Sequence, residues 1–132
     1  MPLPAWNCRR NLLATYGSSA EYGYQAAHQL LIGRAKPSAF IVGANQIIGV
    51  VKAIKLAGLR IPEDVSLICL GNTDFCEIFS PPITEVRWKI ETLGEIAASI
   101  VAGRLSDDDF GGEHRILLPT ELVLRGSCGP AS

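Results

Sequence analysis

The sequence of 132 residues is poor in metal-binding patterns and has no marked excess of charge of either sign. It contains only two histidines, and its four cysteines form no C-x-x-C pair, so we expect no zinc or other metal site. Twelve basic side chains face thirteen acidic ones, which argues against a surface built for nucleic acid or for an anionic membrane. We expect the cysteines to be free thiols, as in a reducing compartment.

Long apolar runs are missing as well. No apolar stretch approaches the roughly 18 residues that a membrane span needs, and residues 1–6 lack the charged start and apolar run of a secretory signal. We therefore expect a cytoplasmic protein. Apolar residues still make up 48% of the chain, which suits one domain with a core of its own.

Signatures of catalysis are also absent. No serine lies in a G-x-S-x-G elbow, and residues 43–46 (GANQ) show neither a G-x-G-x-x-G pattern nor a Walker lysine. His28 falls on a predicted helix and His114 in a predicted surface loop, so neither follows a strand. The acidic run 107–109 fits a solvated loop. We predict that the chain is not an enzyme and holds no cofactor.

What is present is an alternation of apolar strands with amphipathic helices. Strands are predicted at residues 12–16, 38–43, 65–70, 85–88, 115–118 and 121–125. Helices are predicted from a Ser18–Glu21 capping box to Gly33, from an Asn45 N-cap to Gly58, and over residues 90–103. The unbroken apolar character of the second and third strands is typical of strands covered on both faces. The order predicts an α/β fold with a doubly wound parallel sheet.

In such sheets ligands bind beyond the carboxyl ends of the strands. Here those ends carry residues 16–19, 43–46 and 70–74, and Trp88 can join them. Asn45 either caps its helix or offers its amide to a polar ligand. Trp88 either belongs to the core or stacks its flat face on a sugar ring or a base.

Several phrases of the sequence resemble the lactose-repressor/galactose-repressor family of bacterial transcription regulators. The most specific is residues 57–66, AGLRIPEDVS. Others occur in the same order as in the family, so that the resemblance covers about residues 12–127. These are residues 21–27 (EYGYQAA), 37–45 (PSAFIVGAN), 80–84 (SPPIT) and 117–127 (LLPTELVLRGS).

The resemblance implies one lobe of a two-lobed, periplasmic-binding-protein-like fold that holds a small effector between its lobes. Residues 12–127 correspond to the carboxyl-terminal lobe, with an irregular segment at 1–11 and a tail at 128–132. The DNA-binding domain and most of the amino-terminal lobe would then be absent. The helix at 90–103 would lack the surface of the other lobe against which it usually packs. It would then refold against this lobe, pair with another copy or be mobile.

The resemblance also implies which residues face the effector. They are Ser18 or Ser19, Asn45 and Trp88. The family's usual aspartate after the third strand falls at Gly71, which cannot accept hydrogen bonds from sugar hydroxyls. Asn72 is the candidate to take its place, and Gln46 replaces a second, commoner aspartate.

A homodimer is the third implication, formed by the helix after Asn45 and by the loop before the double proline. Ile48 and Leu56 are apolar away from the predicted buried face of that helix, which independently calls for a second partner. The interface residues implied by the resemblance are Ile48, Val51, Lys52, Lys55, Phe75, Ile78 and Phe79.

Together these features predict the ligand-sensing and dimerisation lobe of a transcriptional repressor that responds to a sugar or related metabolite. Operator DNA would be bound only through the missing amino-terminal domain. Two alternatives stay open at this point. One is a lobe of a solute-binding protein for sugar transport, and the other is a fragment of an α/β enzyme.

Overall fold

A four-stranded sheet is the centre of the computed structural model, which describes residues 17–34, 36–105 and 115–130. Its strands, in spatial order, are β1 (Ala39–Gly43), β2 (Ser66–Leu70), β3 (Thr84–Trp88) and β4 (Thr120–Val123). The first three are parallel, and β4 pairs antiparallel with β3 at the edge. The predicted α/β class with a mostly parallel sheet is confirmed.

Some predicted features lie outside the described residues. These are the segment 1–11, the strand 12–16, Cys8, the loop 106–112 and His114. The strand predicted at residues 115–118 does not form, because residues 115–119 are irregular.

Four helices connect the strands: α1 (Ala20–Ile32), α2 (Ile47–Leu56), α3 (Phe75–Ile78) and α4 (Ile90–Leu105). The helix α3 was not predicted, since four residues are too few to show a period. Both predicted N-caps are wrong by one residue. Ser19, not Ser18, accepts the amide of Tyr22 at 3.3 Å, and the N-cap of α2 is Gln46, not Asn45.

Two glycines allow α1 and α2 to cross at very short range. A Cβ at Gly23 would overlap the carbonyl of Gln46. A Cβ at Gly49 would lie 2.6 Å from the backbone nitrogen of Tyr24 and would overlap the carbonyl of Ala20. Only glycine permits this approach of two backbones, so the crossing fixes α1 on α2.

The two faces of the sheet differ in how they are covered. Phe40 and Val42 of β1, with Leu67 and Cys69 of β2, are buried in the core beside α2. On the opposite face Ile41 is 68% exposed. The expectation that β1 and β2 are buried on both faces is therefore wrong for the described residues. Their apolar run forms two apolar faces, and helices of the described chain cover only one.

The helix α4 occupies the predicted place but buries none of its side chains. Ile90, Leu93 and Val101 are each about half exposed. Refolding of this helix against the lobe is therefore not seen, while pairing with another copy or mobility stays a prediction. In the parts of the chain that the structure describes, no helix is long and apolar enough to cross a bilayer.

The end of the chain is fixed to the middle of the sheet. The hydroxyl of Ser127 donates to the carbonyl of Leu67 and accepts the amide of Thr84 at 2.8 Å. The amide of Gly129 donates to Ser66 Oγ at 3.1 Å. The first residues of the predicted tail 128–132 are thus held by β2.

Candidate ligand-binding site

A cavity of about 340 Å³ lies at the carboxyl ends of β1, β2 and β3. We call it the edge cavity. Five of the six residues predicted to bind ligand line it, although they come from four separate stretches of the chain. Its lining residues are Ser18, Gly43, Ala44, Asn45, Gln46, Leu70, Gly71, Asn72, Trp88 and Ile90.

The sequence left open whether Ser18 or Ser19 faces the effector, and the structure places the two serines differently. Ser18 lines the edge cavity. Ser19 does not, since its hydroxyl is engaged in capping α1. The structure therefore brings only Ser18 to the cavity.

The neighbouring residues Asn45 and Gln46 differ in their side-chain hydrogen bonds. Gln46 Nε2 donates to the carbonyl of Gly17 at 2.6 Å, which ties the turn before α1 to the start of α2. Asn45 is exposed and neither caps α2 nor forms a side-chain hydrogen bond within the described residues. Its amide is therefore available to a ligand in the edge cavity.

Asn72 holds the backbone of Trp88 rather than standing free. Its Nδ2 donates to the Trp88 carbonyl at 2.8 Å, and its Oδ1 accepts the Trp88 amide at 3.0 Å. This pairing uses one donor and one acceptor of the side-chain amide. Asn72 therefore positions the end of β3, and this weakens its candidacy as a replacement for the missing carboxylate.

The indole of Trp88 lies over Gly71. A Cβ at Gly71 would be 3.3 Å from both Cζ2 and Cη2 of the indole and 3.2 Å from the Cβ of Ala44. Gly71 also has φ +116°, a conformation that residues with a side chain rarely adopt. The contact joins residues far apart in sequence, and no local pattern signals it.

A cluster of four charged side chains lies along β3, outside the wall of the edge cavity. Glu85 is fully buried, and its Oε1 lies 2.6 Å from Arg87 Nε and 2.8 Å from Arg125 Nη1. Glu77 of α3 lies 2.9 Å from both arginines. The hydrogen bond from Arg87 and the charge of Arg125 hold the pKa of Glu77 below its usual range. This charge cluster fastens α3 and the end of the chain to β3.

Three cysteines fall within the described residues, and all are free thiols. Cys69 and Cys76 are buried, and Cys128 is partly buried. Burial, with a smaller contribution from Cys69 and Glu85, raises the pKa of the Cys76 thiol. Such a thiol is a poor nucleophile at neutral pH, so it fits a structural role.

The predicted interface residues fall into two groups. Val51 is 4% exposed and packs in the core, so it offers little free surface, and its place at an interface stays a prediction. Helical periodicity alone could not separate it from its exposed neighbours. The other six keep exposed surface, namely Ile48, Lys52, Lys55, Phe75, Ile78 and Phe79. Two of them, Lys55 and Phe79, line a second cavity of about 330 Å³.

Comparison with known proteins identifies the family. The model of the periplasmic binding protein-like domain matches residues 6–128. The lactose operon repressor of Rhizobium radiobacter is 33% identical over 108 residues, which are 81% of this chain and 94% of the relative. The chain belongs to the lactose-repressor/galactose-repressor family. It spans about a third of the length of other curated relatives that it matches.

Solved structures agree with this assignment. A LacI family transcriptional regulator from Enterococcus faecalis V583 with bound ribose is 30% identical, with a TM-score of 0.74 over 86% of this chain and 42% of that one. The lac repressor dimer bound to operator and the anti-inducer ONPF is 26% identical, with a TM-score of 0.73 over 83% of this chain and 38% of that one. The chain thus shares its fold with less than half of each of these regulators.

Proposed function

We propose that this chain is the ligand-sensing and dimerisation lobe of a transcriptional repressor, and that it is not an enzyme. The observation that carries the proposal is the edge cavity, where Ser18, Asn45 and Trp88 meet at the carboxyl ends of parallel strands. The family to which the chain belongs supports a small-molecule effector, operator DNA bound by a separate domain, and a cytoplasmic location.

The edge cavity is open to solvent, and we expect a second lobe to close over it. An effector held between two lobes stabilises the closed arrangement by its difference in affinity for the closed and open states. This lobe alone provides only part of the contacts. The isolated chain should therefore bind effector weakly and operator DNA not at all, and a tight, salt-tolerant complex with DNA would contradict the proposal.

Relatives of this chain support a sugar or a related metabolite as the effector class. The Enterococcus faecalis regulator was solved with ribose, and a regulator from Arthrobacter sp. FB24 was solved with lactose. The chain differs from the family's usual pattern at Gly71, which offers no carboxylate to sugar hydroxyls. This difference bears on which related metabolite the lobe binds.

Thermal unfolding with a library of small metabolites tests ligand sensing. A ligand that binds only the folded chain raises its melting temperature by mass action, even when binding is weak. We expect Asn45→Ala to abolish the rise, because its side-chain amide is free and lines the edge cavity. Gln29→Ala, an exposed amide on α1, is the matched control and should keep it. A rise that survives Asn45→Ala would place the ligand elsewhere.

Sedimentation equilibrium tests dimerisation. Ile78 of α3 is 76% exposed, so a charge there should oppose association without disturbing the core. We expect a dimer for the unaltered chain and a monomer for Ile78→Glu. Ile32→Glu, at the exposed end of α1, should remain dimeric. A monomeric unaltered chain at high concentration would overturn the dimer proposal.

A further inference from the structure

We propose that the ligand of the edge cavity is an uncharged molecule with an aromatic heterocycle, and that Gly71 and Trp88 together select it. The inference rests on the proposed function, because it concerns the ligand of the same site. It is carried by the charges, the free polar groups and the shape of the cavity wall.

The wall of the edge cavity carries no ionisable side chain among the described residues. The nearest arginine along β3 is Arg87, and its guanidinium is already paired with Glu77 and Glu85. A charged ligand would lose its hydration here without gaining an opposite charge, which is costly. The lobe therefore favours a neutral ligand over an acidic sugar or a sugar phosphate.

Few side chains of the wall have free polar groups. Ser18 and Asn45 have uncommitted side chains, whereas Gln46 and Asn72 already serve the backbone. The other side chains of the wall are apolar, and they belong to Ala44, Leu70, Trp88 and Ile90.

A sugar carries hydroxyls around its whole ring, so some would face this apolar wall unpaired, at a cost in binding free energy. A heterocycle has a polar edge and apolar faces. Its edge can face Asn45 while one of its faces lies on Trp88, and this matches the distribution of groups in the wall.

Gly71 and Trp88 depend on each other. The indole lies where a side chain at position 71 would project, at 3.3 Å from the nearest possible Cβ. A carboxylate side chain at position 71 would crowd the indole and would be strained at φ +116°. Trp88 nevertheless keeps 39% of its surface exposed, which leaves ring area for stacking. The exchange of a carboxylate for an aromatic surface replaces hydroxyl recognition with ring recognition.

Ligand-observed NMR titration of the full chain with adenosine, ribose and ribose 5-phosphate tests the inference. The three probes share ribose and differ in carrying a neutral base, nothing or a phosphate. We expect adenosine to bind about tenfold more tightly than ribose, within the range that stacking of a base on an aromatic side chain supplies. The phosphate should bring no gain.

Variants at position 88 separate stacking from folding. Trp88→Ala should weaken adenosine about tenfold and leave ribose unchanged, whereas Trp88→Phe, which keeps a flat ring, should keep most of the affinity. Asn72 binds only the backbone of residue 88, so both variants retain that anchor. If Trp88→Ala fails to fold, Trp88→Leu replaces it with the same expected loss.

The outcomes distinguish the two proposals. Equal or tighter binding of ribose or ribose 5-phosphate, sensitive to Asn45→Ala, would overturn the heterocycle inference and leave ligand sensing intact. Binding of adenosine that Trp88→Ala does not weaken would also overturn the inference. If none of the probes binds, the heterocycle inference fails. If in addition no metabolite raises the melting temperature, ligand sensing fails with it.

Discussion

The helices α2 and α4 are both rich in aliphatic residues, yet six of the ten residues of α2 are buried and none of the sixteen of α4 is. The α2 residues Ile47 and Ile54 belong to one core together with residues of α1 and of the sheet. Ile90, Leu93 and Val101 of α4 are instead exposed to solvent. An apolar helical stripe thus shows that a helix needs a partner, but it does not show whether that partner lies in the same segment of chain.

The two faces of the sheet repeat this difference. Phe40 and Leu67 are buried under α2, whereas Ile41 on the opposite face is exposed. A side covered by α1 and α2 therefore contrasts with an open side, as the buried helix α2 contrasts with the exposed helix α4. The covered side contains the core that stabilises the lobe. The proposed ligand site, the edge cavity, lies at the carboxyl ends of the strands.

The largest expected effect is on the covered side. Ile54 is fully buried, so Ile54→Ala should lower the free energy of unfolding by about 2–5 kcal/mol through lost burial and a residual cavity. Chemical denaturation measures this loss. A loss below about 1 kcal/mol would mean that the core around α2 is not packed as described.

The same substitution in the two helices should have different consequences. Gly49→Ala would force apart the crossing of α1 and α2 and should cost about 1–3 kcal/mol or more. A Cβ added at Gly94 of α4 would meet no described atom within 4 Å. Gly94→Ala should therefore raise helix content, since alanine favours a helix over glycine by about 1 kcal/mol. Circular dichroism and chemical denaturation compare the two variants. Equal losses of unfolding free energy would contradict the difference in packing between α2 and α4.

The charge cluster on the covered side should make stability depend on pH. Because Arg87 and Arg125 lower the pKa of Glu77 in the folded chain, its contribution is present above the unfolded value of about 4.3. It is lost as the pH falls through the lower, folded value. The stability difference between the unaltered chain and Glu77→Gln should thus be present at neutral pH and vanish in acid. A difference independent of pH would be the contrary result.

The smallest effect is expected in the exposed helix α4. Leu93→Ala in α4 removes an exposed side chain and should change the free energy of unfolding by no more than about 0.5 kcal/mol. Chemical denaturation of the isolated chain, at a concentration too low for association, gives this value. A loss like that of Ile54→Ala would show that α4 is packed after all.

Much of the site could be anticipated because it follows strand ends. The apolar runs located β1 and β2, and the residues just after them, Asn45 and Gly71, lie at the same edge as Trp88. Local sequence patterns could not predict the features that depend on contacts between residues far apart in sequence. The commitment of Asn72 to the Trp88 backbone and the contact between Trp88 and Gly71 depend on how β2 and β3 pair.

The charge cluster and the interface show the same limit. Glu85 and Arg125 meet only because the end of the chain returns beside β3, so nothing near either residue in sequence indicates their ion pair. Val51 was predicted at the interface but packs in the core, because an apolar stripe does not show which of its residues touches the core of its own lobe.

The central claim is that the edge cavity of this lobe is a ligand site. Backbone chemical-shift mapping of the full chain, titrated with adenosine and separately with ribose, tests it most directly. We expect saturable shifts concentrated at residues 43–46, 70–72 and 88–90. Shifts concentrated instead around the second cavity at residues 59–63 and 79–83, or no localised shifts with either compound, would contradict it.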